Sequence, residues 1–405
     1  VKILFYLPVI TPWWFENIIT PMLRSLYDEA ELHIIVAPLW NNTGLETRHV
    51  APLVDLDRLN WHIVVPDDDA QFRLDGAAVD GLIDLVRSID ADITIARSAD
   101  RTTPALFPGI VRHIMEPGAL PFHTPHRWYV LEDLPFHHGV MPPSASPSAN
   151  HAAHLLAPWW DRIEAAFAEP SPGAFRHGLG LPADRPVLAV PLQYEHPENL
   201  YGLGSPLQAG VNMLGALLDQ LDERIILAVT DHPLNAQHLD RAPLHRLAAA
   251  QPDRIRLLLP SDEQMNPTAP VIRAADAVLI DRSKCVSLAA FFGTPIIHVG
   301  DSMMADWLNA TPLAQAGRAL CERRLAAPDR KAAQQWFGWH IGMRLTRFTD
   351  LSLSLLLERI HGTSGETEIA TLLQFLDGWL EASVEDARNQ VDALSLGTLR
   401  NPAIA

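Results

Sequence analysis

The sequence is poor in cysteine, in basic residues and in uninterrupted apolar runs, and each shortage closes a class of function. Only Cys285 and Cys321 occur in 405 residues, with no CxxC pair and no Cys/His ligand spacing, so neither a disulfide framework nor a structural zinc site is expected. Such cysteine usage fits a reducing, cytoplasmic compartment. Lys and Arg number 31 against 48 Asp and Glu, a formal net charge of −17. Binding a nucleic-acid backbone needs clustered cations that displace counterions, so no nucleic-acid partner is expected. No apolar run approaches the ~20 residues of a membrane-spanning helix. The opening stretch VKILFYLPVITPWW, which starts at Val1 rather than Met as in a chain trimmed upstream, is too short and too interrupted by Pro for a signal peptide. It reads as a buried first strand. No GxGxxG follows that strand and no GxxxxGK[ST] occurs, which argues against a dinucleotide cofactor or a P-loop.

What is present is apolar material, 48% of residues, in a length about twice that of a common domain. In the first half, short runs rich in β-branched residues (KILFYL, LHIIVAP, WHIVVP, ADITIA, VRHIME) alternate with stretches of helical period. In one of these, Val79, Leu82, Ile83, Val86 and Ile89 recur at three and four residues and mark a buried helix face. Strands alternating with helices imply βαβ units and a parallel sheet covered on both faces. The Pro- and Ser-rich stretch GVMPPSASPSAN, 139–150, reads as a linker or edge loop, followed by a helix from His151 to Ala168. The second half restarts the alternation with VLAVPLQ, SPLQAGVNMLGALLDQL, RIILAVT, RIRLLLP, AADAVLID and PIIHVG. Three segments result: a Rossmann-like domain over 1–150, a second over 151–328, and a helical segment over 329–405.

Four stretches carry candidate chemistry. In LIDRSKCVSLAAFF a strand ends near Ile280, and Arg282, Ser283 and Lys284 precede a helix. Free N–H groups there favour a phosphate, Ser283 adds a donor, and the two cations neutralise charge. The plain alternative is that Ser283 only caps the helix. In LAVTDHPLNAQHLD the strand delivers His232 and Pro233 to its exit, where an imidazole can donate to a phosphate and Pro fixes the backbone; the alternative is a surface His before a turn. In VPLQYEHPENLYG, Gln193, Glu195, His196, Glu198 and Asn199 crowd another exit, as orienting groups or as a solvated loop. In HIMEPGALPFHTP, Glu116 leaves a strand and enters a Pro/Gly loop, where a carboxylate can act as base or nucleophile. Glu16, just beyond the first strand, is the next choice for that role, with Asp133 and Asp100 in reserve. Trp13, Trp14 and Phe15 either stack a sugar or pack.

In order, the four stretches resemble the capsule polysaccharide biosynthesis and export family, which includes GT-B transferases of 3-deoxy-manno-octulosonic acid (Kdo). The E-x-G-x-L-R-P pattern corresponds to Glu116, Gly118, Leu120 and Pro121, without the Arg. The PLQ strand end corresponds to Pro191, Leu192 and Gln193, with Pro197 in place of a following Asp. The HP pair corresponds to His232 and Pro233, and the Ser of the last strand-helix turn to Ser283, with Leu288 where a Glu commonly stands. The resemblance spans His113 to Gly300. It implies an α/β, GT-B fold, two Rossmann-like domains facing a central cleft plus C-terminal helices, and transfer of a sugar from a CMP-activated donor. The donor nucleotide sugar would be bound by Gln193, His232, Pro233, Arg282, Ser283 and Lys284, and a glycan or glycolipid acceptor served by Glu116 or Glu16. No cofactor beyond the donor is expected. Membrane contact would be peripheral, at the inner membrane through the acceptor lipid.

His123, His126, His137 and His138 lie in a Pro-rich loop without HExxH spacing, so no metal is expected. Two other classes share the nucleotide site: a nucleotide-sugar epimerase or hydrolase, and a non-catalytic sugar- or partner-binding protein of the same fold. Nothing in the sequence sets an oligomeric state.

Overall fold

The computed structural model describes residues 1–201, 207, 210–259, 267–300, 303–361 and 366–395. Two compact units are formed: unit 1 from Val1–Pro117, Pro125–His137 and Met343–Gly365, and unit 2 from Gly118–Thr124, His138–Gly342 and Glu366–Ala405. The helical segment expected from residue 329 therefore contributes to both units. No helix among the described residues is long and apolar enough to cross a membrane.

Unit 1 is built on β1 (Lys2–Tyr6), β2 (Glu31–Val36), β3 (Asn60–Ile63), β4 (Ile93–Ala96), β5 (Ile110–Met115) and β6 (Trp128–Glu132), with a two-residue β13 (Thr346–Arg347) closing one edge. The order is β13-β6-β5-β4-β1-β2-β3. The first five strands run parallel; β6 is antiparallel to β5, and β13 to β6. Strand β1 shows why the sheet is buried on both faces. Ile3 and Phe5 enter one apolar cluster with Phe15, Ile18 and Tyr129, while Leu4 and Tyr6 enter another with Phe72 and Val86. Gly76 sits against the Tyr6 hydroxyl so closely that a Cβ there would collide with it.

Unit 2 is built on β7 (Val187–Pro191), β8 (Ile226–Thr230), β9 (Ile255–Leu258), β10 (Ala277–Ile280), β11 (Ile296–His298) and the short β12 (Thr311–Pro312). All pairings are parallel, in the order β12-β11-β10-β7-β8-β9. Numbered within the unit and read from the other edge, this is 3-2-1-4-5-6, the doubly wound order whose direction reverses between β7 and β10. Strands β7, β8 and β10 are buried along their whole length, as a sheet covered on both faces requires. The α/β class with two Rossmann-like domains, expected of a GT-B chain, is therefore present.

Two sequence expectations change. The stretch 139–150 is not a linker throughout, because the helix that follows runs Ser146–Ala166 with Pro147 in its first turn. At that position the missing N–H costs nothing and the fixed φ suits a helix. This helix packs on Arg330–Trp339 closely enough that a Cβ on Gly338 would lie 2.5 Å from the Ala153 nitrogen. The expected helix start at Ser205 lies outside the described residues, and Gly210–Gln220 is its described part.

Candidate functional site

At the reversal point of unit 2 the exits of β7 and β10 are neighbours. Gln193 follows β7 and its side-chain amide Nε2 donates to the Asp281 carboxylate beyond β10 at 3.4 Å. The next residues, Arg282, Ser283 and Lys284, are half-buried and lead into the helix Cys285–Phe292. Ser283 Oγ accepts from the Cys285 N–H at 3.2 Å, so the capping role is realised. Arg282 Nη1 donates to the Tyr201 carbonyl at 2.8 Å. The Lys284 stem lies beside Gly118, where a Cβ would stand 3.7 Å from Lys284 Cγ. Leu288 is buried at 3% exposure.

One strand further, β8 delivers Asp231, His232 and Pro233. Asp231 is buried and its carboxylate accepts from the His232 N–H (2.9 Å), Asn235 Nδ2 (2.7 Å) and Arg241 Nε and Nη2 (2.7 and 2.6 Å). Asn235 also donates to the Gln193 carbonyl at 2.8 Å and accepts from the Glu195 N–H at 3.0 Å. Arg241 Nη1 reaches Glu195 Oε2 at 3.3 Å. The loops that carry Gln193 and His232 are thus fastened to one another through Asp231, Asn235 and Arg241. Burial raises the Glu195 carboxyl pKa against the pull of Arg241.

His232 is held in one tautomer of its neutral ring. Its Nδ1 accepts from the Leu234 N–H at 3.3 Å, which puts the proton of the neutral ring on Nε2. Burial lowers its pKa, opposed by Asp231, so the neutral ring is favoured and presents an Nε2–H donor. Around it, Tyr194 is the hub of an aromatic cluster, with ring centroids 5.6 Å from His196, 5.3 Å from His232 and 6.2 Å from His238. The Tyr194 hydroxyl donates to Glu198 at 3.0 Å, and burial together with that carboxylate pushes the phenol up to about 12.

The candidate donor residues of unit 2 are therefore gathered on three neighbouring exits, β10, β7 and β8. Sequence reasoning missed Asn235, Arg241 and His238. Its available signal was the polar spacing D-H-P-L-N, since an Asp and an Asn four residues apart can bracket a turn.

In unit 1, Glu116 is the first residue beyond β5 and Glu16 lies on a π-helical turn, Phe15–Ile19; both are exposed. Their strands, β5 and β1, are separated by β4. Of the reserves, Asp133 pairs with Arg112 at 3.1 Å. Asp100 accepts from the N–H groups of Gly76, Thr102 and Thr103 and from both Thr hydroxyls. Burial alone would raise the Asp100 pKa, but these bonds, led by Thr103, hold it below the usual range. Trp14 and Phe15 are core residues of the unit: the Arg97 guanidinium lies 3.5 Å over the Trp14 ring and Tyr129 packs on it at 4.6 Å. Trp13 is exposed. Among the described residues no three His, Cys, Asp or Glu are grouped so as to hold a metal ion. In the loop, His123 meets Asp386 at 3.3 Å in unit 2.

No protein-family model matches this chain, and no curated protein matches it in sequence. Among solved structures it is similar to KpsC, the beta Kdo 2,7 transferase of Thermosulfurimonas dismutans, at 11% identity over 75% of this chain and 88% of that one, with a TM-score of 0.36. It is also similar to a glycosyltransferase from Rickettsia africae, at 11% identity over 90% and 99% with a TM-score of 0.31, and to S. aureus MnaA in its UDP co-structure, at 12% over 82% and 94% with a TM-score of 0.28. At these identities and TM-scores none of the three decides what this chain does.

Proposed function

We propose that this chain is a glycosyltransferase in which unit 2 holds a nucleotide-activated sugar and unit 1 serves a polysaccharide or glycolipid acceptor. A CMP-sugar such as CMP-Kdo is the favoured donor, through the resemblance of the ordered stretches around Glu116, Gln193, His232 and Ser283. The observation that carries the reading is the gathering of Gln193, His232 and Ser283 on three neighbouring strand exits at the reversal point of a doubly wound sheet, where ligands of such sheets bind.

The chemistry is electrostatic. As the bond from the anomeric carbon to the phosphate oxygen lengthens, charge grows on the phosphate. His232 Nε2–H and the Ser283 hydroxyl are fixed donors for that charge, the N–H groups of Cys285, Val286 and Ser287 being already bonded to Ser283 and Lys284, and fixed donors need no reorganisation during the reaction. Arg282 and Lys284 add positive charge, so the reading invokes no metal and no cofactor beyond the donor.

The test is a thermal-shift titration with CMP, CDP, UDP, GDP and dTDP. A ligand that binds only the folded chain adds about 2.7 kcal/mol at a hundred times its Kd. The expected result is a shift with CMP that His232→Ala abolishes, while the melting temperature of the variant without ligand stays within the ~0.5 kcal/mol of an ordinary surface change. A shift with a diphosphate alone overturns the CMP donor, and no shift with any of the five overturns the nucleotide site. Release of free sugar from the donor without acceptor transfers the reading to a hydrolase.

A further inference from the structure

The two connections that meet at the reversal point of unit 2 carry opposite charge. Between β10 and the helix Cys285–Phe292, Arg282 and Lys284 outnumber Asp281. Between β7 and the helix Gly210–Gln220, residues 192–209 hold Glu195 and Glu198 and no Lys or Arg. In doubly wound sheets of this order the phosphates of a dinucleotide lie on the turn after the first strand, which here is β7. A carboxylate on that turn has the wrong sign for the task.

Glu195 is fixed in place and is not part of a solvated loop. Its N–H donates to Asn235 Oδ1 at 3.0 Å, and its side chain is 15% exposed. The carboxylate lies against Gly210, where a Cβ would stand 2.6 Å from Oε2 and 2.9 Å from Oε1. Only glycine leaves that room, and at φ +56° it is also the residue that the backbone favours. Arg241 Nη1 reaches Oε2 at 3.3 Å, while Oε1 is buried without a hydrogen-bond partner among the described residues. The charged groups around Glu195 are Arg241 and Asp231. Arg241 is shared, because its Nε and Nη2 bind Asp231 at 2.7 and 2.6 Å. Two carboxylates on one guanidinium leave a negative charge over, and a part-buried charge is screened less by salt than one on the surface.

We infer that Glu195 is a specificity-determining residue of the donor site: it holds the uncompensated charge at the exit of β7 and so restricts the site to donors with one phosphate, linked directly to the sugar. This rests on the glycosyl-transfer reading and deepens it. Ser283 stands beyond β10 and His232 beyond β8, on either side of β7, so a ligand that engages both passes over the β7 exit. A sugar on one phosphate brings one negative charge past Glu195, and a sugar on a diphosphate brings two. A charge set against the wrong ligand discriminates without touching the right one.

The experiment measures Kd by isothermal titration calorimetry for cytidine, CMP and CDP on the full chain and on Glu195→Gln, which keeps an oxygen for Arg241 and removes the charge. The expected effect grows with ligand charge: cytidine binding changes by less than about twofold, CMP tightens by roughly threefold, and CDP by about tenfold or more. The same change in the CDP-to-CMP ratio is expected of Glu195→Met, a second neutral side chain of similar length, whereas Glu195→Asp, which keeps the charge, should retain the parent ratio. Equal tightening of all three ligands, or a ratio in both neutral variants within about twofold of the parent's, overturns the inference and leaves the nucleotide site standing. A ratio in Glu195→Asp equal to that of the neutral variants assigns the effect to packing and overturns it as well. Binding of CDP by the neutral variants when the parent binds no nucleotide supports the role of Glu195 and overturns the CMP donor. Binding of no nucleotide by any of the proteins overturns both.

Discussion

The two sheets end in opposite ways. In unit 2 most of the polar groups beyond β7 and β8 are bonded to one another: Asp231 takes four hydrogen bonds, and Asn235 ties the β7 loop to the β8 loop, while Glu195 Oε1 has no partner among the described residues. In unit 1 the exit of β1 is filled by Trp14 under Arg97, while the row through β5 and β6 leaves His113 and Glu132 unbonded. A network whose members satisfy each other fixes atoms in place. A pair left unbonded can change its protonation.

The harshest way to break the comparison is Asp231→Ala. It leaves the Arg241 guanidinium, 13% exposed at the side chain, with only the longer contact to Glu195, and breaking a buried ion pair by removing one partner costs about 3–5 kcal/mol. For a domain of this size, each kcal/mol corresponds to about 2–4 °C, so the melting temperature of unit 2 should drop by on the order of 10 °C, with loss of the CMP shift. Calorimetry checks it. A drop below about 1 kcal/mol would mean that the loops are held by their own backbone turns, and the contrast with unit 1 would lose its basis.

Next in size is a pH effect at His113. His113 titrates near 4 in the folded chain against about 6.5 unfolded. Between these values the unfolded chain binds more protons, so stability is full above about pH 6.5 and is lost as pH falls towards 4. The loss is about 3 kcal/mol for this one group. Glu132 has the reverse sign: its raised pKa, near 7, favours the folded state most below the unfolded value of about 4.3 and loses that contribution as pH rises through 7. The melting temperature of the parent minus that of His113→Gln should therefore decline between pH 6.5 and 4. A flat difference would show that His113 gains a partner in solution, and with it the contrast between the two sheets would narrow.

How much of this was legible in the sequence follows from the range of the forces involved. The alternation of apolar runs is local, so both Rossmann-like units could be read, and so could the residues standing directly at strand ends, Gln193, His232 and Ser283. What could not be read depends on pairing over distance. Arg241 meets Asp231 only because the chain turns back after Pro233. Glu132 meets His113 through the register of an antiparallel pair joined by a twelve-residue connection, and no side-chain pattern states that register. Pro147 misled for a different reason. Proline breaks a helix interior but starts a helix well, and composition alone does not distinguish the two. The helices after residue 329 carry an apolar stripe without any mark of which sheet they cover, which is why the chain divides them between both units.

The finest test acts on Ser283, where capping and ligand binding coincide. Its Oγ accepts from the Cys285 N–H at 3.2 Å, and removing such a cap typically costs about 1 kcal/mol. Ser283→Ala should therefore lower stability by that amount whether or not a phosphate ever binds there. The proposed donor site adds a second loss, because the same hydroxyl would donate to the phosphate: the CMP shift should shrink by more than the change in stability of the free chain explains. Ser283→Asp separates the two contributions. It restores a capping oxygen, so stability should return, but it sets a negative charge where the phosphate would sit, so the CMP shift should vanish. If CMP binds the Asp variant as well as the parent, the fixed edge of unit 2 is a structural cap and the nucleotide lies elsewhere on the sheet.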